Sequence, residues 1–178
     1  VPTAILIIIW SSGIHWWKSK SRKSKNRIQY VCVFLQCEPQ HVDAAWVSSQ
    51  FRPRLFWGNL LSLQDQQFIN NGPSLQHYLI PGRKASVDKL RTVTTRTNSL
   101  KQGSEMKSAI LNSNSRAVDI NIIELEEIFG FPRNYTKVGN LSKNERQKLL
   151  GRAWSVQTIC MLLRFLQQYY QHYEETAS

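Results

Sequence analysis

Phe51-Arg52-Pro53-Arg54-Leu55-Phe56-Trp57-Gly58-Asn59-Leu60 is the stretch from which the fold can be read. Its apolar and aromatic second half, opened by a proline and closed by a glycine, predicts an extended segment over residues 54–60. Two arginines two positions apart at the mouth of a strand lie on one side of it. There they can present guanidinium forks to an anion or a base edge. Taken alone, the pair reads as surface arginines on an edge strand.

Upstream, residues 41–47 read as a second extended segment, joined to the first through a polar link over 48–52. Tyr30 to Leu35 is β-branched and aromatic enough for a short strand, but its period leaves strand and helix open. Residues 1–27 differ in character. An apolar run from Ala4 to Trp10, too short to span a bilayer as a helix, precedes the basic stretch Lys18 to Arg27. That order is the reverse of a signal peptide. The basic stretch reads as a solvated linker outside the folded protein, or as a nuclear import signal or DNA-binding arm.

Downstream, residues 61–86 are rich in glutamine and turn formers, with Asn71-Gly72-Pro73 and Pro81-Gly82 as breakers, and read as a loop-dominated insert. Residues 84–107 are the most basic part of the globular region and show no amphipathic period. Helices follow. Ile122, Ile123, Leu125, Ile128 and Phe129, with Glu124, Glu126 and Glu127 between them, predict a short amphipathic helix stopped by Gly130 and Pro132. Ser142 with Glu145 has the capping-box spacing and opens a helix through Leu150 that Gly151 ends. Ser155 opens a last helix with Val156, Ile159, Cys160, Leu163 and Leu166 along one face, and a frayed tail is expected after Tyr173. Strands first, helices last and a basic insert between them define an α/β class.

The charge is lopsided: 23 basic against 12 acidic residues give +11. This points to a polyanionic partner, usually nucleic acid or an anionic membrane surface, with nucleic acid ahead of a basic charge that only serves solubility. Cys32, Cys37 and Cys160 are odd in number and lack a framework spacing, which points to a reducing compartment rather than a secreted scaffold. His15, His41, His77 and His172 stand far apart, and no Cys or His falls at zinc spacing, so no metal site is expected. The chain opens at Val1 and its first methionine is Met106, and it is accordingly expected to be a fragment of a longer protein.

Two further segments carry chemistry. Residues 91–103, with Arg91, Thr92, Thr95, Arg96, Asn98 and Lys101, are dense in donors and nearly devoid of apolar bulk. They suit a loop whose hydroxyls and lysine hold phosphates while an arginine reads a guanine edge, or else a threonine-rich exposed strand. In Leu149-Leu150-Gly151-Arg152-Ala153-Trp154-Ser155-Val156 a glycine turn sets Arg and Trp at a helix entrance. The tryptophan there is either one wall of a small-molecule pocket or core.

Together these segments resemble the C-terminal portion of de novo (animal) DNA cytosine-5 methyltransferases. The resemblance runs from Phe34 to Leu60, resumes over residues 89–103 and again over 124–163. Ile128-Phe129-Gly130-Phe131-Pro132 with Asn134-Tyr135-Thr136, and the run from Gly151 to Val156, are its most characteristic parts. It implies the C-terminal part of a class I S-adenosylmethionine-dependent methyltransferase fold with a target-recognition insert. Residues 28–60 would supply the last strands of the sheet, 61–120 the insert and 121–173 the helices closing the cofactor pocket, with 1–27 a divergent, unstructured or non-native leader and 174–178 a tail. It further implies nuclear localisation, double-stranded DNA with a CpG step as substrate, S-adenosylmethionine as methyl donor, and pairing with itself or a related subunit.

By the same resemblance Arg54, with Arg52 beside it, contacts the flipped cytosine. Arg96 reads the guanine, supported on the backbone by Arg91, Thr92, Thr95, Asn98 and Lys101. Arg152, Ala153 and Trp154 line the cofactor pocket, and Ser142, Lys143, Asn144 and Lys148 lie on the pairing helix. Lys143-Asn144 stands where the family commonly has Arg-Leu, which keeps the charge but loses the fork.

The family's chemistry uses a thiolate from a Pro-Cys dipeptide, a glutamate from a Glu-Asn-Val motif and a Gly-rich cofactor loop. None of these occurs here, and no cysteine of the chain follows a proline. The 178 residues alone are therefore expected not to methylate DNA. A non-catalytic, DNA-binding accessory subunit of a de novo methyltransferase is the alternative.

Overall fold

The computed structural model describes residues 8–10, 22–58, 71–102 and 107–164. The expectations for residues 4–7, 18–21, 59–70, 103–106, Leu166 and the tail lie outside these. The chain divides into two compact units, Val1–Asp43 with Pro53–Gln67, and Ala44–Arg52 with Phe68–Ser178.

Among the described residues, the first unit holds a helix and a three-stranded antiparallel sheet. β1 (Ile8–Trp10), β2 (Gln40–Asp43) and β3 (Pro53–Trp57) lie in the order β1-β3-β2. β3 is central, with Ile8 opposite Trp57 on one side and Gln40 opposite Phe56 on the other. Pro53, which has no N–H to give the ladder, takes the first position of the strand. The expected segment at 41–47 is thus a strand only to Asp43, and Ala44–Trp46 form a 3-10 turn.

α1 (Arg22–Leu35) corrects one expectation and resolves the alternative left open at Tyr30 to Leu35. Residues 22–27 belong to a helix rather than an unstructured leader, and β1 brings Ile8–Trp10 into the sheet. Tyr30 to Leu35 completes the helix and is no strand. Ile28, Val31, Cys32 and Leu35 are the half-buried positions of α1, a helical spacing, while Tyr30, Val33 and Phe34 are exposed. Apolar residues on both faces hide this period in the sequence. Gln36 ends the helix in the left-handed region at φ 52°, and Pro39 follows.

The second unit holds a hydrophobic core built from Leu75, Leu90, Val93, Ala109, Ile110, Ile120, Ile122, Leu125, Ile128, Phe129 and Leu150. Around it lie the antiparallel sheet β4-β7-β8 (Arg83–Ala85, Ile110–Asn112, Ala117–Val118) and the two-stranded β5-β6 (Lys101–Gln102, Lys107–Ser108). Three helices close it: α2 (Ile122–Ile128), α3 (Lys143–Arg152) and α4 (Val156–Leu163). The molecule is therefore mixed α/β with small sheets. Among the described residues every ladder is antiparallel, and Gln50 with Leu90 makes an isolated parallel bridge.

Helix ends follow the sequence closely. α2 and α3 open with full capping boxes, Asn121 with Glu124 and Ser142 with Glu145. α2 closes in a Schellman motif, Phe131 N–H to the Glu126 carbonyl and Gly130 N–H to that of Glu127. Gly130 stands at φ 83°, where a side chain is strained. α3 runs through Gly151 to Arg152, one residue past the predicted stop. On α4 the buried residues are Thr158 and Leu162, whereas Cys160 is exposed and Val156, Ile159 and Leu163 are only half-buried, so the predicted apolar face is rotated. Part of the reason is that Val156 N–H is fixed on the Phe129 carbonyl, which sets the entry of α4 from the end of α2.

The larger departure is in α2. A polar-face reading puts its glutamates in solvent, yet Glu124 and Glu126 are completely buried. Glu124 caps Asn121 N–H, accepts from Ile80 N–H and pairs with Arg83 at 3.3 Å. Glu126 accepts from the amides of Asn134 and Thr136, from the Thr136 hydroxyl, and from Arg146 of α3 at 2.8 Å. Arg146 Nε also donates to the Thr136 hydroxyl. The turn after α2 and the helix α3 are thereby bolted to one carboxylate.

Burial pushes the Glu126 carboxyl up, but the Thr136 hydroxyl, Arg146 and the Thr136 and Asn134 amides outweigh it and hold it below the ordinary carboxylate range. A carboxyl lowered in this way contributes stability that is complete above the unfolded value and lost as pH falls through the folded one. Chemical denaturation of Glu126→Gln as a function of pH should show a flatter acid limb than the wild type. Glu126→Ala, which leaves Arg146 buried opposite nothing, should cost about 3–5 kcal/mol near neutral pH.

Candidate nucleic-acid interface

The described loop residues 91–102 and the turn 151–155 are built against each other in the second unit, and a buried arginine joins them. Arg52 is only 3% exposed. Its guanidinium donates to the carbonyls of Val93 at 2.8 Å, Gly151 at 3.0 Å and Ala153 at 2.6 Å, and lies 5.0 Å from the ring centroid of Phe129. A planar five-donor fork fits three carbonyls from two chain segments while its carbon lies over the Phe129 ring. The expectation that Arg52 stands beside Arg54 at a cytosine is therefore corrected: its donors fasten the interior. Arg54 belongs to the first unit, half-buried in β3, with Nη1 on the Pro53 carbonyl. Burial lowers its proton affinity and Asp43 opposes that, and an arginine keeps its charge under both.

Past Val93 the loop holds itself. Thr94 N–H donates to the Ser99 hydroxyl at 3.0 Å, Arg96 N–H to the Thr94 hydroxyl at 3.2 Å, and Ser99 N–H to the Arg96 carbonyl at 3.0 Å. Arg96 precedes a 3-10 turn over Thr97–Leu100. With its backbone fixed, the loop exposes Arg91, Thr95, Arg96, Asn98 and Lys101. Thr92 departs from expectation: it is buried beside Val93, so its hydroxyl faces the interior rather than a partner.

The turn that Arg52 grips at Gly151 and Ala153 exposes Arg152, and Trp154 is 55% exposed. The tryptophan is not core. Arg152 and Trp154, two positions apart on this anchored turn, are both exposed. Ser142, Lys143, Asn144 and Lys148 are all exposed on α3, though the Ser142 hydroxyl is engaged by Glu145 at 2.7 Å.

Sequence reasoning missed the supports: Ser99, Thr136, Arg146 and Gln147. Arg146 and Gln147 share the buried side of α3 with Leu150, at spacings of four and three. That spacing was visible, but polar residues in those places read as solvent-facing. Cys32 is no activated nucleophile. Burial pushes the Cys32 thiol up, partly offset by the Trp57 indole donating to its sulfur at 3.4 Å, the wrong direction for a thiolate.

Among known proteins, a stretch of 58 residues, 33% of the chain, is 36% identical to the DNA (cytosine-5)-methyltransferase DRM2 of Arabidopsis thaliana, and it covers 9% of that protein's length. No family model matches the chain. The similarity relates part of this chain to a DNA cytosine methyltransferase.

Arg52→Met should destabilise the chain by about 3 kcal/mol or more, because the buried Val93 carbonyl and the Gly151 and Ala153 carbonyls all lose this donor. Thermal or urea denaturation checks this. A loss under about 0.5 kcal/mol would mean the three carbonyls do not depend on the fork.

Proposed function

We propose that these residues form the DNA-recognition and cofactor-facing portion of a DNA cytosine-5 methyltransferase of the de novo type that the sequence resembles. The observation that carries the reading is a loop whose backbone is fixed from within while Thr95, Arg96, Asn98 and Lys101 stand exposed on it. Fixed donors aimed at solvent are what base and phosphate recognition requires, since phosphate contacts set register and a fork on a base edge sets sequence. In this reading Arg96 takes the guanine edge of a CpG step, Arg91, Thr95, Asn98 and Lys101 hold phosphates, and Arg54 meets the cytosine. The net charge of +11 fits a duplex partner and a nuclear location.

Arg152, Ala153 and Trp154 fit one wall of a site for S-adenosylmethionine. The exposed indole can lie against a base ring or a sulfonium and the guanidinium can pair with a carboxylate. When bound, that cofactor supplies the methyl group. The chain's own residues orient it, and Arg52 holds the orienting turn by its Gly151 and Ala153 carbonyls. Methylation by the whole protein needs a thiolate that Cys32, Cys37 and Cys160 do not offer from a Pro-Cys dipeptide. The exposed Ser142, Lys143, Asn144 and Lys148 favour as second reading a non-catalytic, DNA-binding accessory subunit that pairs with an active methyltransferase.

Arg96→Ala should reduce the preference for a CpG duplex over a CpA duplex by about 1–3 kcal/mol while leaving non-specific affinity nearly intact. Equal discrimination by both proteins would remove Arg96 as the reader. Trp154→Ala should raise the Kd for S-adenosylmethionine about tenfold in a calorimetric titration of the chain, the loss of an aromatic contact of some 1–2 kcal/mol. An unaltered constant would take Trp154 out of the cofactor wall, and absent binding by the wild type would favour the accessory reading.

A further inference from the structure

The Arg96 loop crosses α3 at two places one helical turn apart. At the first, Gly151 passes beneath Thr94 and Thr95. A Cβ there would lie 2.5 Å from the Thr94 carbonyl carbon, 2.6 Å from its oxygen and 2.7 Å from Thr95 nitrogen. Only a residue without a side chain lets the helix come this close to the loop backbone. At the second, Gln147, which is 2% exposed, donates from Nε2 to the Arg96 carbonyl at 3.0 Å. The spacing of four residues puts both contacts on one side of the helix.

We propose that Gln147 is a positioning residue that sets the direction of the Arg96 side chain, and hence which base edge the loop reads, without adding to the affinity for phosphates. The inference rests on the reading of Arg96 as the base-reading side chain. The argument is geometric. The Arg96 N–H is held by the Thr94 hydroxyl, and its carbonyl is held by two donors, Ser99 N–H and the Gln147 amide. With both flanking peptide planes fixed, the direction of the Cα–Cβ bond is fixed, while the guanidinium itself stands in solvent.

Ser99 belongs to the same loop and moves with it. Gln147 is the contact that ties Arg96 to a helix anchored elsewhere, through Arg146 on Glu126 and through Leu150 in the core. A neutral amide suits the position. It donates to a carbonyl without bringing a charge into a buried place, whereas a carboxylate would face the carbonyl oxygen and a thioether would leave it to Ser99 alone. Sites that depend on an arginine fork tolerate little misplacement, so loss of this one bond shows in discrimination rather than in attraction.

The test uses the full chain with Gln147→Glu, Gln147→Met and Arg96→Ala. Fluorescence anisotropy gives the Kd for two duplexes that differ only in a CpG or a CpA step, over a salt series, and thermal unfolding is followed alongside. The expected result for both Gln147 variants is a loss of about three- to tenfold in the CpG-to-CpA ratio, the worth of one buried hydrogen bond. Affinity for the CpA duplex and the salt slope should stay within about twofold of wild type. A ratio unchanged in both Gln147 variants, while Arg96→Ala abolishes it, would overturn the positioning role and leave Arg96 as reader. Global unfolding of both Gln147 variants would overturn it too, by making Gln147 a core residue. Arg96→Ala with full discrimination would instead remove the base-reading role on which the proposal stands.

Discussion

The second unit depends on how one guanidinium is spent inside it. Arg52 sits where the connection from β2 to β3 returns, and from there it reaches the carbonyls of Val93, Gly151 and Ala153. Those atoms come from segments about forty and a hundred residues away along the chain. Val93 lies in irregular chain, and Gly151 and Ala153 stand at the C-terminal end of α3, where carbonyls have no partner within the helix. A buried carbonyl without a donor costs on the order of 1–3 kcal/mol; Arg52 removes that cost at Val93 and part of it at the half-buried Gly151 and Ala153. Arg52 therefore joins the start of the Arg96 loop to the turn bearing Arg152 and Trp154.

This changes how the chain's basic composition should be understood. A net charge of +11 points to a polyanion, but several cations are used internally. Arg52 holds three carbonyls, Lys89 holds those of Ala45, Ser48 and Gly72, Arg146 meets Glu126, and Arg83 meets Glu124 and the Asp119 carbonyl. The cations exposed on the loop and on α3 include Arg91, Arg96, Lys101, Lys143, Lys148 and Arg152. The argument for a nucleic-acid partner rests on where those stand and not on the total.

The legible parts of the fold were the ones governed by local chemistry. Capping boxes at Asn121 and Ser142, the glycine stop at Gly130 and the strand at residues 53–57 could be read because each depends on a few neighbouring residues. α1 was ambiguous because Tyr30, Val33 and Phe34 put apolar residues on its exposed face and blur the period carried by Ile28, Val31, Cys32 and Leu35. The buried glutamates and Gln147 were illegible for a different reason. Their partners lie many residues away, and a polar residue facing the interior is indistinguishable in sequence from one facing water. At the candidate site the loop and the turn were identified from the sequence, but the division of labour within them was not. Arg52 and Thr92 turned out to face inward, whereas Trp154, by composition a core residue, faces out.

If Arg52 binds loop and turn into one piece, the two must open together. Site-resolved hydrogen exchange on the chain and on Arg52→Met measures this directly. In the wild type, the amides of Thr94, Arg96 and Ser99 and that of Ala153 should be protected without DNA and should open with similar free energies. In the variant all four should open together, while the amides within Ile122–Ile128 stay closed. Loop amides that exchange freely in the wild type, or a variant in which only one of the two segments opens, would contradict the account.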